Sequence, residues 1–344
     1  MTYSKLGGLL AAMLMTTSLT ATAGLVTFET YTGNFGVSTD GVASTGDTRT
    51  ISASIPAGST ITAAYLYSAT QDHSSNDPAI FFLTPPSGVE LNGVEVSYDA
   101  SFPNLGAKAA RDDINLSSHR ADVTSIVQAS FDTTPLAGTF NFDYQETGNN
   151  FNIDGSGLVV VYEDPALSEQ TVAILNGAQS STGDTFNVGL ANPIDLSDPD
   201  QVAEMVLGIN FSCCSQTSVV EVNGTLLTDV AGNFDDGVNL SNGQLITVGS
   251  FDDPVSGLLP TREDDHERYD LLDIPGIDGA NNLMIETLNP TNDDNIFLAV
   301  LTFSGEADVT VPPSVIPLPA SIWLMLTALG GLGVFSRRNG RKKA

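Results

Sequence analysis

Short runs of β-branched and aromatic residues, separated by Gly, Asn, Asp and Pro, fill the middle of the chain. The clearest are 61–69 (ITAAYLYSA), 139–144 (TFNFDY), 157–162 (GLVVVY), 203–211 (AEMVLGINF) and 296–303 (IFLAVLTF). Such runs predict strands, because branched and aromatic side chains pack well on a pleated, half-buried surface. Asn92-Gly93 and Asn223-Gly224 each lie between apolar runs. Both residue types tolerate positive φ, so each pair predicts a two-residue hairpin turn. Residues 123–128 read as one helical turn with Asp122 as its N-cap. Strands with turn signals at short spacing predict an all-β chain of antiparallel, jelly-roll-like sandwich architecture.

The pattern occurs twice. STGDT stands at 44–48 and again at 181–185. A strand pair with an Asn-Gly turn follows each copy, and then Arg-x-Asp: Arg120 and Asp122, Arg268 and Asp270. Glu146-Thr147 and Glu286-Thr287 open ungapped segments that share five residues: Asn149, Asn152, Asp154, Leu158 and Val160 match Asn289, Asn292, Asp294, Leu298 and Val300. The offsets, 137 at STGDT and 140 at Glu-Thr, agree closely. We therefore expect two tandem β-sandwich domains, 24–166 and 167–311, with a seam near 163–165. The last strand of each is a nearly continuous aliphatic run, which predicts a central strand covered on both faces. Residues 192–200 (NPIDLSDPD) read as an insertion in the second unit.

The ends have a different texture. Lys5 precedes an apolar stretch at 6–15, and Ala21-Thr22-Ala23 precedes Gly24. That is the layout of a secretory signal peptide over 1–23, cleaved by signal peptidase between Ala23 and Gly24. At the other end come IPLPAS at 316–321, an apolar run at 322–335, and Arg337, Arg338, Arg341, Lys342 and Lys343. A cationic end stays on the cytoplasmic side of a bilayer. The apolar run is short against the roughly 20 residues of a spanning helix, and Gly330, Gly331 and Gly333 weaken it further. This tail, 312–344 with a transmembrane sorting helix at about 318–336, resembles the PEP-CTERM sorting signals of Gram-negative bacteria in their V-P-L-P-A variant. Pro317, Leu318, Pro319, Ala320, Arg337 and Arg338 carry the resemblance, with Ile316 inserted after Val315. It implies a membrane-anchored precursor that an exosortase cuts near Pro-Leu-Pro, delivering the protein to the cell surface or the extracellular space. The phrases AAYLY, LNG, ADVTSIV and LVVVYEDP also resemble exported bacterial β-sandwich families of unassigned function.

Charge is divided just as sharply. Residues 24–315 hold six basic residues against all 41 acidic ones, a formal net charge of −35. Such a body repels nucleic acid and anionic lipid and draws counter-cations. Calcium takes six to eight oxygen ligands, and the repeated loops offer Glu146, Asn149, Asn152 and Asp154, then Glu286, Asn289, Asn292 and Asp294. The same residues also suit an exposed turn, where Asn and Asp bond their own backbone. Cys213-Cys214, the only cysteines, can form a vicinal disulfide, link two chains or stay as thiols. His73, His119 and His266 belong to no recognisable catalytic or zinc motif, although Asp264, Asp265 and Glu267 flank His266. The single tryptophan, Trp323, lies in the tail, which leaves no indole to stack on a sugar.

These features predict a non-enzymatic exported protein of the surface or matrix, associated with exopolysaccharide or biofilm. A secreted hydrolase of polysaccharide or peptide, and a calcium-dependent glycan-binding module, are the alternatives. The intact mass of the native protein tests the processing. We expect a chain that starts at Gly24 and lacks the basic end, with the gain on reduction and alkylation reporting the state of Cys213 and Cys214.

Overall fold

The computed structural model describes residues 24–43, 48–72, 85–104, 115–132, 138–147, 153–180, 183–211, 218–232, 245–253, 267–291 and 294–312. The first half runs β1 (Gly24–Gly33), β2 (Phe35–Val42), β3 (Arg49–Ile55), β4 (Thr60–Asp72), β5 (Val89–Leu91), β6 (Val94–Glu95), β7 (Ala100–Asn104), β8 (Asn115–Asp122), helix α1 (Thr124–Asp132), β9 (Gly138–Glu146) and β10 (Ile153–Glu163). The second runs β11 (Gln170–Ala178), β12 (Asp184–Leu190), β13 (Ala203–Asn210), β14 (Ser218–Val222), β15 (Thr225–Ala231), β16 (Ile246–Val248), β17 (Arg268–Asp270), a 3₁₀ turn (Leu271–Asp273), β18 (Asn282–Leu288), β19 (Asn295–Ser304) and β20 (Ala307–Thr310). The described chain is thus all-β but for one helix and one helical turn.

Every strand pair is antiparallel. The described residues form four sheets: β2-β10-β4-β8-β7, β3-β9-β5-β6, β1-β11-β19-β13-β16 with β17 also on β13, and β15-β14-β18-β12-β20. Side-chain alternation stacks them. Leu158 and Val160 of β10 meet Ile51, Val89 and Phe142 of the β3 sheet, while Val159 and Val161 meet Val172, Val248 and Phe297 of the β11 sheet. On β19, Val300 joins that middle core, whereas Ala299, Leu301 and Phe303 pack on Phe186, Val220 and Ile285 of the β12 sheet. The order is β3 sheet, β10 sheet, β19 sheet, β12 sheet. Both inner sheets are therefore covered on two faces, and this explains why the runs in β10 and β19 are aliphatic without alternation. Full burial of each such side chain contributes about 1.5–3 kcal/mol.

Polar bonds cross the middle too. Asn176 donates to the Tyr67 hydroxyl at 3.2 Å, and Ser118 donates to the Gly177 carbonyl at 3.1 Å. Strand β1 strengthens the joint. By position it begins the first half, yet it pairs with β11 at the edge of the second half's sheet. Its Phe28 meets the Tyr65 ring edge-on at 5.1 Å, and the Arg120 guanidinium lies 3.6 Å from the Phe28 centroid.

Pairing repeats between the halves. β10 lies between β2 and β4 as β19 lies between β11 and β13, and β3-β9-β5-β6 has the order of β12-β18-β14-β15. Both hairpins close on Asn-Gly with positive φ at each residue, 51° and 72° for the first and 51° and 73° for the second. Asp122 accepts the Thr124 N–H at 2.9 Å and opens α1, which is longer than the single turn expected. Asp270 accepts the Leu272 N–H at 2.8 Å and opens the 3₁₀ turn. One departure is the connection at 191–202, mostly exposed, where the first half needs only 56–59. Among the described residues no helix is long and apolar enough to cross a membrane. Segments 1–23 and 318–336 lie outside those residues.

Gly157 probes the middle interface. A Cβ there would sit 3.0 Å from Val248 Cγ2, while one at Gly189 meets only Asn282 Oδ1 at 3.9 Å. Overpacking costs about 1–3 kcal/mol. Urea unfolding should therefore show Gly157→Leu destabilised by that amount and Gly189→Leu little changed.

Candidate functional site

Toward one end of each half the interior turns polar. Along β4 the inward positions pass from Leu66 to Ser68 and Thr70, and β10 begins with Asp154 and Ser156, all buried. A bulge between Ile153 and Gly155 brings two residues of β10 against one of β4. Tyr144 of β9 donates to Glu146 Oε1 at 3.1 Å and meets Ser156 Oγ at 2.9 Å, bridging the two sheets. Ser156 continues to Ser68 at 2.5 Å, and Ser68 to Tyr98 at 2.6 Å. His119 is held by Thr70 at Nε2 (3.2 Å) and Ser101 at Nδ1 (2.8 Å), and burial lowers its pKa to about 4, so the ring is neutral.

Asp154 is the exception in this network. It is fully buried, and neither carboxylate oxygen has a hydrogen-bond partner. Burial first, and then the charge of Glu146, push its carboxyl well above the usual range. The Gln71 amide nearby works in the opposite direction, although neither Asp154 oxygen makes a well-formed hydrogen bond.

The second half carries a different polar end. Glu267 is fully buried, with Gly232 N–H donating to Oε1 at 2.7 Å and the Tyr269 hydroxyl donating to Oε2. Burial still raises its carboxyl to about 8, helped by the charges of Asp294 and Asp253. Ser218 donates to Asp294 Oδ2 at 3.0 Å. Gly232 is required where it stands. Its φ is +77°, and a Cβ would lie 3.1 Å from Asp294 Oδ2 and 3.0 Å from Ile209 Cγ2. Asn295 Oδ1 accepts from Asn104 of the first half at 2.8 Å, a hydrogen bond across the middle interface.

Of the residues nominated from the sequence as calcium ligands, Glu146 and Asp154 come together, both buried. Asn289 is buried and donates to the Asp294 carbonyl at 2.9 Å. Glu286 does not join them. Strand β18 alternates, with Leu283, Ile285 and Thr287 inward, so Glu286 faces out, paired across the ladder with Glu221. Hairpin register gives the reason: Asn92 bonds Asp143 as Asn223 bonds Met284, which aligns Glu146 with Thr287. The ungapped sequence match is thus one residue out of register at this point, and the β10 bulge lies between Glu146 and the strand core. Asn149, Asn152, Asn292, Cys213, Cys214, His73, His266 and the sorting residues lie outside the described residues. Among the described residues no group of three or more His, Cys, Asp or Glu is placed to hold a metal.

Sequence reasoning missed Gln71, His119 and Glu267 as parts of these ends. A signal was present: His119-Arg120 and Glu267-Arg268 occupy the same place in the repeat, an ionisable residue just before the shared Arg-x-Asp. The arginines bind locally, Arg120 to Asp99 at 3.2 Å and Arg268 to Glu204 at 2.8 Å.

Residues 14–246, more than half of the chain, match the family model described as "Protein of unknown function (DUF3344)". No curated protein matches the chain.

Glu267 gives a pH dependence. Between about pH 4.5 and 8 it is protonated when folded and ionised when unfolded, so stability falls as pH rises through this window. His119 acts oppositely but only below its unfolded value of 6.5. From pH 6.5 to 8 chemical denaturation should show a loss of about 1–2 kcal/mol from Glu267, and Glu267→Gln should remove that loss.

Proposed function

Because the chain belongs to this family of unknown function, its role is read from its own residues, and we propose that it is an exported, non-enzymatic protein of the cell surface or extracellular matrix. The observation that carries the reading is the pair of terminal signals, Lys5 to Ala23 and Pro317 to Lys343, bracketing a body of net charge −35. Signal peptidase would act before Gly24, and an exosortase near Pro317-Leu318-Pro319 would remove the membrane segment.

The architecture is compatible with this role. We read the repeated pairing order as a tandem duplication of one jelly-roll-like sandwich, the first of 24–166 and the second of 167–311, with β1 exchanged onto the second. Duplication yields a stiff multilayer body rather than a cleft between mobile domains. Its buried titratable groups His119, Asp154 and Glu267 lie inside the sandwiches, closed off from a polymeric substrate. An acidic exterior stays hydrated and bridges to acidic exopolysaccharide through shared cations.

Deleting residues 315–344 and fractionating the cells tests the sorting. The truncated protein should leave the surface fraction and collect in the periplasm or medium. Unchanged localisation, or recovery of the uncut full-length chain from the cytosol, would overturn the reading.

A further inference from the structure

Asp154 and Gln71 present a problem that their neighbours do not. Asp154 is 0 % exposed with both oxygens unpartnered, and Gln71 is 1 % exposed with neither its amide nitrogen nor its oxygen partnered. Leaving such groups unsatisfied away from water is destabilising. The two side chains are complementary and adjacent, so a direct amide–carboxyl pair would satisfy both. Neither makes a well-formed bond of that kind. Around them are further oxygen donors, the Glu146 carboxylate and the Ser156 hydroxyl, both tied to Tyr144. Three unused acceptor atoms, Asp154 Oδ1 and Oδ2 and Gln71 Oε1, face a single unused donor, Gln71 Nε2. An excess of hard oxygens over donors in one buried place suits a hard cation, whose oxygen distances are about 2.3–2.6 Å for Ca²⁺.

We propose that Asp154, Glu146 and the Gln71 side-chain oxygen form an internal binding site for one Ca²⁺ ion in the first half of the chain. The second half has lost the equivalent site. There Thr287 replaces the inward Glu146, and its hydroxyl accepts from Gln179 Nε2 (3.0 Å) and the Asp184 N–H (3.1 Å). Glu267 is held by Gly232 and Tyr269, and Asp294 accepts from Ser218 at Oδ2. The site thus breaks the symmetry that the repeated Glu-Thr-x-Asn-x-x-Asn-x-Asp loops suggest, and predicts one ion per chain rather than two. It is independent of where the protein is delivered.

The test strips the purified mature protein with EGTA and measures Ca²⁺ by equilibrium dialysis alongside thermal unfolding. One bound ion is expected, with the midpoint raised by roughly 5 °C at a hundredfold excess over Kd. Asp154→Asn and Gln71→Leu should each weaken binding at least tenfold and remove most of the shift, while Glu286→Gln, on the outer face, should change neither. If Asp154→Asn does not fold, Gln71→Leu and the wild-type stoichiometry decide. Absence of binding in the wild type, two ions per chain, or loss of the response in Glu286→Gln would each overturn the proposal.

Discussion

The two inner strands, β10 and β19, have apolar neighbours on both faces and partner strands on both edges, and the rest of the molecule is arranged around that constraint. A strand so placed cannot alternate polar and apolar residues. Val159 and Val161 face the neighbouring half as fully as Leu158 and Val160 face their own. The middle core then makes each half part of the other's interior, since an isolated first half would expose Tyr65, Val159 and Val161 to water. Strand β1 extends the same logic, adding the first described residues of the chain to the sheet of the second half.

A double-sided strand also restricts where polar chemistry can sit. Polar groups are admitted only at the end of the run, and there they appear: Asp154 and Ser156 at the start of β10, Asp294 and Asn295 at the start of β19. The two halves share a pairing skeleton and differ at these ends. The first half places a neutral histidine beside a hydroxyl chain, with an unpaired carboxylate next to it. The second places a raised glutamate under a glycine amide and a tyrosine hydroxyl. The same scaffold therefore carries two different internal environments.

Much of this was legible in the residues. Strand text at 61–69, 157–162 and 296–303 falls inside β4, β10 and β19, and both Asn-Gly pairs close hairpins, because local backbone preference and packing agree at those places. The continuous aliphatic runs signalled double burial. What was not legible depends on distant partners. Nothing in 24–33 announces that β1 pairs with 170–178, and identity matching aligned Glu146 with Glu286 although ladder register aligns it with Thr287. A one-residue slip moves a side chain to the other face of a sheet, so Glu286 faces outward where Glu146 faces in. Gln71 escaped notice because its meaning lies in Asp154, a neighbour in space that is distant along the chain and sits in the β10 bulge.

Joined through a shared core, the two halves should stand or fall together. Native-state hydrogen exchange reads this directly, since amides that open only by global unfolding report the full stability. Amides of 158–161 in β10 and of 298–301 in β19 should exchange with one common free energy and respond equally to denaturant. If the β19 group exchanges through a separate, cheaper opening while the β10 group stays protected, the halves are independent domains and the account fails.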